Sequence, residues 1–186
     1  NTLSKFLSIN YYYRYKEWQY KNIVPRIIVE KLLVDSNGGL PFDYKIHVLN
    51  GKARMIQVDI GRDSENHYRN WYSTAWKREP YKWSSPKGNN KYTDPSVDEV
   101  DRPNNLEKMI LLSEKLAKPF DYVRIDWYEV DEKLYFGEIT FHHDGGYQPR
   151  QPECCRASCL RRNQKRRQQV CFPSGYQDVV RHNAAP

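Results

Sequence analysis

Two carboxylic acids interrupt a stretch of sequence that is otherwise typical of paired β-strands. Asp126 and Glu138 lie within VRIDWYEVDEKLYFGEITF, residues 123–141, where most neighbours are aliphatic or aromatic. Strand interiors disfavour acidic residues, and a carboxylate that loses its water needs a charged or hydrogen-bonding partner. The two acids are therefore the first candidates for a binding or metal-ligating role.

Whether the two acids meet depends on the turn between the strands, because alternate residues of a strand share a face. A three-residue loop over residues 131–133 pairs Val130 with Leu134 and places Asp126 opposite Glu138. A two-residue loop would put the acids on opposite faces. The longer loop also gathers four apolar residues on one face: Val123, Ile125, Ile139 and Phe141. The sequence therefore favours the three-residue loop.

Directly opposed carboxylates repel each other, and a bound cation removes that penalty. Mg²⁺ fits such a pair, because it takes oxygen ligands, often one or two carboxylates, and leaves room for water and substrate phosphates. Thr140 shares a face with Glu138 and offers a hydroxyl, while Arg124 shares a face with Asp126 and could meet an anion. The alternative is a pair of solvent-facing acids bridged by Arg124. The spacing leaves both interpretations open.

Length and charge restrict the class of protein. The 186 residues suffice for one domain with a real core, and no apolar run approaches the roughly 20 residues of a membrane-spanning helix. The formal charge is +7, but residues 154–186 contain seven basic residues, one acidic residue and all four cysteines. The preceding part is nearly neutral and cysteine-free, which argues against nucleic acid as a partner and fits a cytoplasmic location.

Residues 43–60 predict a hairpin beside the acid pair. Asn50 and Gly51 separate two alternating runs, and this dipeptide is a strong hairpin signal because both residues tolerate positive φ. A two-residue turn there sets two cross-strand pairs: Leu49 with Lys52, and Lys45 with Ile56.

The other elements complete an α+β fold, with antiparallel strands packed on helices. Residues 26–34, RIIVEKLLV, predict a buried strand, and residues 61–102 predict a long loop because they lack a period and contain many turn formers. Residues 104–118 predict a helix capped by Asn104 and ended by Pro119.

Five segments of the sequence occur in an order that resembles a known family. They are PRIIVEKLL, DYKIHVLNGK, RPNNLEKMILLSEKL, YVRIDWYEV and LYFGEITFHHDGG, and they span roughly residues 25–153. The last two are similar to the closing metal-binding hairpin of ATP-grasp ligases, whose pattern is Arg-x-Asp, a hairpin, then Glu-x-Asn. Together the segments resemble the TupA-like ATP-grasp family of bacterial cell-surface polysaccharide gene clusters.

The resemblance implies three regions. Residues 25–153 correspond to a C-terminal ATP-grasp-like domain. Residues 1–24 are expected to be a linker or the remnant of an N-terminal portion, which in the family carries phosphate-binding lysines and a glycine-rich loop and which this chain is expected to lack. Residues 154–186, where the resemblance stops, are expected to form a disordered or non-native tail.

The family also implies a set of site residues. Asp126 and Glu138 would hold Mg²⁺, with Thr140 at the position where most ATP-grasp enzymes have asparagine. Arg124 would be the catalytic residue that stabilises a developing oxyanion. The remaining residues would contact ATP: Glu30 the adenine amine, Leu33 the adenine ring, Asp43 the ribose, and Lys45 and Arg62 the phosphates.

The implied activity is Mg-ATP-dependent carboxylate–amine ligation through an acylphosphate, in cell-surface polysaccharide biosynthesis. The partners would be carboxylate- and amine-bearing small molecules or glycans. The alternative is a non-catalytic module that binds an anionic polymer, either a glycan or RNA, through the basic tail and the tyrosine-rich stretch at residues 10–20. A third interpretation is an inactive fragment.

Overall fold

The computed structural model describes residues 2–62, 66–81, 86–88 and 91–142. Its helices are α1 (Thr2–Leu7), α2 (Tyr11–Tyr15) and α3 (Leu106–Leu116), with a 3₁₀ turn at Trp18–Tyr20. Its strands are β1 (Asp43–Leu49), β2 (Lys52–Ile60), β3 (Tyr68–Tyr72), β4 (Pro86–Gly88), β5 (Lys91–Tyr92), β6 (Tyr122–Val130) and β7 (Lys133–Thr140). Five strands form an antiparallel sheet in the order β3-β2-β1-β6-β7, and β4 pairs with β5. The predicted α+β class is confirmed.

One face of the sheet carries the apolar core, and α3 covers it. Alternation along β1 sends Ile46 and Val48 to this face, where they pack with Ile125 of β6 and Met109 of the helix. All four side chains are buried. The indole Nε1 of Trp127 donates to Ser113 Oγ at 2.8 Å, which fastens β6 to the helix. The core thus fixes which residues of β1 and β6 point to the opposite face.

The opposite face of the sheet carries charged side chains, and those on its central strands are also buried. Every residue of β1 is buried, including the polar residues that alternate with its apolar ones. On the neighbouring strands, Arg69 Nε donates to Asp59 Oδ1 at 2.7 Å. Burial alone would raise the pKa of Asp59, but its hydrogen bonds and charge pairing with Arg69 prevail and hold that pKa below its usual 3.8. Buried charge on this face is therefore paired.

The predicted turn at Asn50 and Gly51 is confirmed, with φ values of 50° and 71°. Leu49 pairs with Lys52 as expected. The prediction that Lys45 faces Ile56 is wrong, because a bulge between His47 and Val48 shifts the ladder and Lys45 pairs instead with Gln57. An extra residue on one strand moves every later pair by one position.

Two predictions of local structure are wrong. Residues 26–34 form no strand, and Ile28 and Val29 are 79% and 91% exposed. An apolar run becomes a strand only where another strand satisfies its backbone, and the edges of the sheet belong to β3 and β7. Residues 61–102 are not one long loop, because β3 lies within them. Its polar side chains obscured the strand pattern, yet Arg69 and Asn70 are hydrogen-bonded in the fold.

Helix α3 forms where the sequence predicts it, but its amino-terminal cap comes from another strand. Asn104 does not cap it; Asn105 precedes the helix and its side chain makes no capping bond. Instead, the backbone N–H groups of Asn104 and Asn105 donate to the two carboxylate oxygens of Glu129 in β6, each at 3.1 Å.

No helix in the described part of the chain is long and apolar enough to cross a bilayer.

Replacing Glu129 by alanine should destabilise the fold, because two N–H groups at the start of α3 lose their acceptor. The expected loss is about 1 kcal/mol in the free energy of unfolding, the usual value of a cap. Urea denaturation at pH 7 measures it. Glu132→Ala, in the turn of the same hairpin, is the control and should change stability by less than about 0.5 kcal/mol. Equal losses in the two variants would contradict the capping role.

Replacing Asp59 by asparagine should remove a pH-dependent part of the stability. The folded pKa of Asp59 lies below its unfolded value, so its contribution is present above the unfolded pKa and is lost as pH falls through the folded one. At pH 7 the variant should be less stable by about 3 kcal/mol, because buried Arg69 loses its charged partner.

Urea denaturation from pH 7 to pH 2.5 measures this effect. The difference between wild type and Asp59→Asn should stay constant in the neutral range and narrow below the usual carboxyl pKa of 3.8. Asp121→Asn, at an exposed position, serves as the control. A difference that stays unchanged down to pH 2.5 would contradict the assignment.

Candidate functional site

The hairpin of β6 and β7 brings the two acids together by a route that the sequence did not predict. The turn has two residues, Asp131 and Glu132, with φ values of 48° and 61°, so the prediction of a three-residue loop is wrong. A bulge between Ile125 and Trp127 then shifts the register by one. Beyond the bulge, Ile125 pairs with Ile139, which is the pairing that the longer loop would have produced.

Asp126 is the centre of a buried ion-pair network. Its side chain is 2% exposed, and its Oδ2 accepts a hydrogen bond from Lys45 Nζ at 2.6 Å. Arg124 binds the same carboxylate through both of its oxygens, with Nε 2.7 Å from Oδ1 and Nη2 2.8 Å from Oδ2. Such bidentate, charge-assisted contacts fix the carboxylate's orientation.

Lys45 links this network to Asp43 on its own strand. Its Nζ lies 2.5 Å from Asp43 Oδ2, which also accepts from Arg62 Nη1 at 2.9 Å. Burial raises the pKa of Asp43, although the charge of Lys45 opposes the shift. The other oxygen, Asp43 Oδ1, is buried and has no hydrogen-bond partner among the described residues. This oxygen is a free acceptor at the margin of the network.

Arg124 joins the buried acid to the exposed one. Its Nη2 lies 3.0 Å from Glu138 Oε1, and the same oxygen accepts from Thr140 Oγ1 at 3.0 Å. The side chain of Glu138 is 63% exposed, whereas that of Arg124 is 12% exposed. Burial would lower the pKa of Arg124, but its contacts with Asp126 and Glu138 outweigh this and raise it. The arginine is therefore a permanent cation between the two carboxylates.

The oxygen donors suit Mg²⁺ in kind, and in the described geometry Arg124 bridges the two acids, of which Glu138 faces solvent and Asp126 is buried. Asp126, Glu138 and Thr140 offer the hard oxygen atoms that this ion prefers. Arg124 Nη2, however, stands within hydrogen-bonding distance of all three side chains, and a metal would have to displace it. The described residues contain no group of three or more histidine, cysteine or acidic side chains placed to hold a metal.

Most, but not all, of the site residues predicted from the sequence contact one another in the structure. Seven of them share contacts in one network: Asp43, Lys45, Arg62, Arg124, Asp126, Glu138 and Thr140. Glu30 and Leu33 are not brought into it; Glu30 is exposed and Leu33 half-buried in a segment without regular structure. Their expected contact with adenine remains a prediction.

Sequence reasoning missed the part of the charged face that lies beyond β1. Gln57 of β2 stands opposite Lys45, and Asp59 stands opposite Asp43. Gln57 Nε2 donates to both oxygens of Asp59 at 3.2 Å. The signal was present, because polar residues alternate at positions 43, 45 and 47 and again at 57 and 59.

Comparison with known proteins identifies the family. The model of the family described as TupA-like ATPgrasp matches residues 1–154, so the match begins upstream of residue 25, where the resemblance in sequence began. No curated protein and no solved structure matches the chain. The family match covers most of the 186 residues and includes every residue of the ion-pair network. The chain therefore belongs to the TupA-like ATP-grasp family.

Proposed function

We propose that the chain contributes the Mg-ATP site of a carboxylate–amine ligase. The observation that supports this most directly is the ion-pair network, in which Lys45, Arg62 and Arg124 converge on Asp43 and Asp126. A site that handles phosphate and a divalent cation needs both kinds of charge at close quarters. Membership of an ATP-grasp family makes an ATP-dependent ligase the corresponding activity.

The proposed reaction has two steps. An oxygen of the substrate carboxylate attacks the γ-phosphorus of ATP, the bond to the β-phosphate oxygen breaks, and ADP leaves. The nitrogen of an amine then attacks the carbonyl carbon of the acylphosphate, inorganic phosphate leaves, and the nitrogen loses a proton to give the amide. Both steps depend chiefly on positioning and charge neutralisation.

Different residues of the site would have different roles in this reaction. Arg62, whose side chain is 63% exposed, is free to turn its remaining guanidinium nitrogens toward a phosphate. Arg124 offers a permanent cation for the charge that develops on the acyl oxygen. Lys45 is buried and bound by two carboxylates, so it would reach a phosphate only by leaving one of them. Asp43 retains an unpaired oxygen that could accept from a ribose hydroxyl.

Mg²⁺ would be held by Asp126 and Glu138, with Thr140 beside them. When bound, the ion supplies neutralising charge for the phosphate oxygens. Release of Arg124 Nη2 from Glu138 Oε1 would open the position between the acids. The same guanidinium would then be available to the substrate.

The biological setting is part of the proposal. We propose that the reaction serves cell-surface polysaccharide biosynthesis, acts on the cytoplasmic side, and joins a carboxylate and an amine carried by small molecules or glycans. The family name, the nearly neutral body and the cysteine-free residues 1–153 support this setting.

The amino-terminal segment favours a second candidate function. Tyr13 and Trp18 are each 66% exposed. Lys21 Nζ lies 4.3 Å from the centre of the Trp18 ring, and Lys16 lies 6.0 Å from that of Tyr13. Exposed rings with adjacent cations suit an anionic polymer. Under this alternative, a polyuronate or an RNA would bind regardless of nucleotide, and deleting residues 154–186 would weaken that binding.

Glu138→Gln should abolish the Mg²⁺-dependent part of ATP binding without unfolding the protein. Glutamine keeps the shape and the contacts with Arg124 and Thr140 but removes the charge. Because the side chain is 63% exposed, its loss costs little stability. Mutating the outer partners of a metal ligand already costs about 10–100-fold, so the affinity for ATP in Mg²⁺ should fall at least tenfold. Isothermal titration with and without Mg²⁺ measures it.

The control for this experiment is Glu132→Gln, the same substitution in the turn of the same hairpin, which should leave ATP affinity unchanged. Asp126→Asn is a poor choice, because Lys45 and Arg124 would be left buried with a neutral partner, at a cost of about 3–5 kcal/mol. If Glu138→Gln retains full Mg²⁺-dependent affinity, the metal assignment is refuted.

A further inference from the structure

Tyr128 stands at the open end of the ion-pair network. It lies on β6 two residues beyond Asp126, on the same face of the strand, and directly opposite Asp43 in the ladder between β6 and β1. Its side chain is half-buried, so it borders both the network and solvent. None of the sequence patterns had singled it out.

A glycine at the bulge, Gly137, leaves room for the Tyr128 ring. An added Cβ at Gly137 would lie 3.0 Å from Tyr128 Cε2 and 3.1 Å from the carbonyl oxygen of Asp126. Contacts this short are tighter than nine in ten of those that real Cβ atoms make. Any other residue at position 137 would therefore require the ring, or the backbone that carries Asp126, to shift by a few tenths of an ångström. Gly137 lets the tyrosine lie across β7 next to Glu138.

The Tyr128 hydroxyl makes no hydrogen bond to another residue within the described part of the chain. A phenol hydroxyl can donate one hydrogen bond, so this one is available to a ligand. The ring that carries it belongs to the face of β6 on which Asp126 lies, at the position opposite Asp43.

Arg62 is the second donor at this end. Its Nη1 is held by Asp43 Oδ2, while the rest of the guanidinium stays accessible. Arg62 and Tyr128 are thus both neighbours of Asp43: Arg62 makes an ion pair with it, and Tyr128 lies opposite it on the adjacent strand. A guanidinium and a phenol hydroxyl that flank one point can both donate to an anionic oxygen.

We propose that Tyr128 is a further ligand-binding residue of this site, whose hydroxyl donates to an anionic oxygen that Arg62 also contacts. The inference rests on the proposed function, in which that oxygen belongs to a phosphate of ATP. Gly137 is a positioning residue, because it acts only through the place it leaves for the tyrosine ring and for the Asp126 backbone.

The direct test is Tyr128→Phe in the full chain, with Mg-ATP as the probe in isothermal titration. Loss of one hydrogen bond to a charged oxygen should weaken affinity about tenfold. The melting temperature should not change, because the hydroxyl stabilises nothing in the free protein. Tyr135→Phe is the matched control, since Tyr135 pairs with Tyr128 across the hairpin and its substitution should leave affinity unchanged.

Two double variants distinguish an effect on ligand binding from an effect on packing of the protein. If Arg62 and Tyr128 contact the same oxygen, Tyr128→Phe should weaken affinity less in an Arg62→Gln background than in wild type. Gly137→Ala should weaken affinity, and Tyr128→Phe should add little to it. Purely additive effects in both combinations would overturn the shared contact.

The outcomes distinguish the inference from the proposed function. Weaker affinity of Tyr128→Phe with an unchanged melting temperature supports the inference. If wild type binds Mg-ATP and Tyr128→Phe binds it equally well, the inference fails and the proposed function stands. If wild type shows no Mg²⁺-dependent binding of ATP, both fail.

Discussion

The charge of Lys45 is the constraint on which the rest of the sheet depends. Its side chain is 4% exposed on the central strand, where an unpaired ammonium would cost several kcal/mol. Asp43 and Asp126 neutralise it at 2.5 and 2.6 Å. If β6 slipped by one residue against β1, Asp126 would turn toward the apolar face that carries Ile46. Neutralisation of Lys45 therefore requires the observed register of β6 against β1, and this register in turn avoids placing Asp126 on the apolar face.

The network is also balanced in charge, and that balance restricts what it can bind. Three cationic side chains and three carboxylates make up its ion pairs: Lys45, Arg62 and Arg124, with Asp43, Asp126 and Glu138. A bare divalent cation would meet acids that are already neutralised. A nucleotide that arrives with its cation carries both signs, so the phosphates can take the cationic groups while the ion takes the acids. This balance of charge is compatible with the proposed metal–phosphate ligand.

The sequence correctly predicted which strand residues pair beside Asp126 and Glu138, but not the turn and the bulge that produce this pairing. Alternation and apolar content correctly placed Ile125 and Ile139 together, because burial of one face is a demand that the whole fold must meet. The turn was mispredicted, since Glu132 adopts a positive φ that its residue type does not signal. Bulges depend on contacts across the sheet, and neither bulge could be read from one strand alone.

Burial could not be predicted from hydrophobicity alone. Ile28 and Val29 are apolar but exposed, because no described strand offers them backbone partners. Asp59 and Arg69 are charged but buried, because each satisfies the other on adjacent strands. In both cases the deciding fact is a partner distant in sequence, which a single stretch of residues does not reveal.

The bulge in the β6–β7 hairpin reconciles two opposing requirements. The two-residue turn at Asp131 and Glu132 imposes a register that, continued without interruption, would place Asp126 and Glu138 on opposite faces. Pairs on the turn side of the bulge follow this register, and pairs beyond it follow the register that brings the acids together. Gly137 permits the change at this point, because it has no side chain to strike the backbone of Asp126. The candidate site and the irregularity of the sheet are therefore the same feature: a regular ladder from this turn would leave the two acids facing apart.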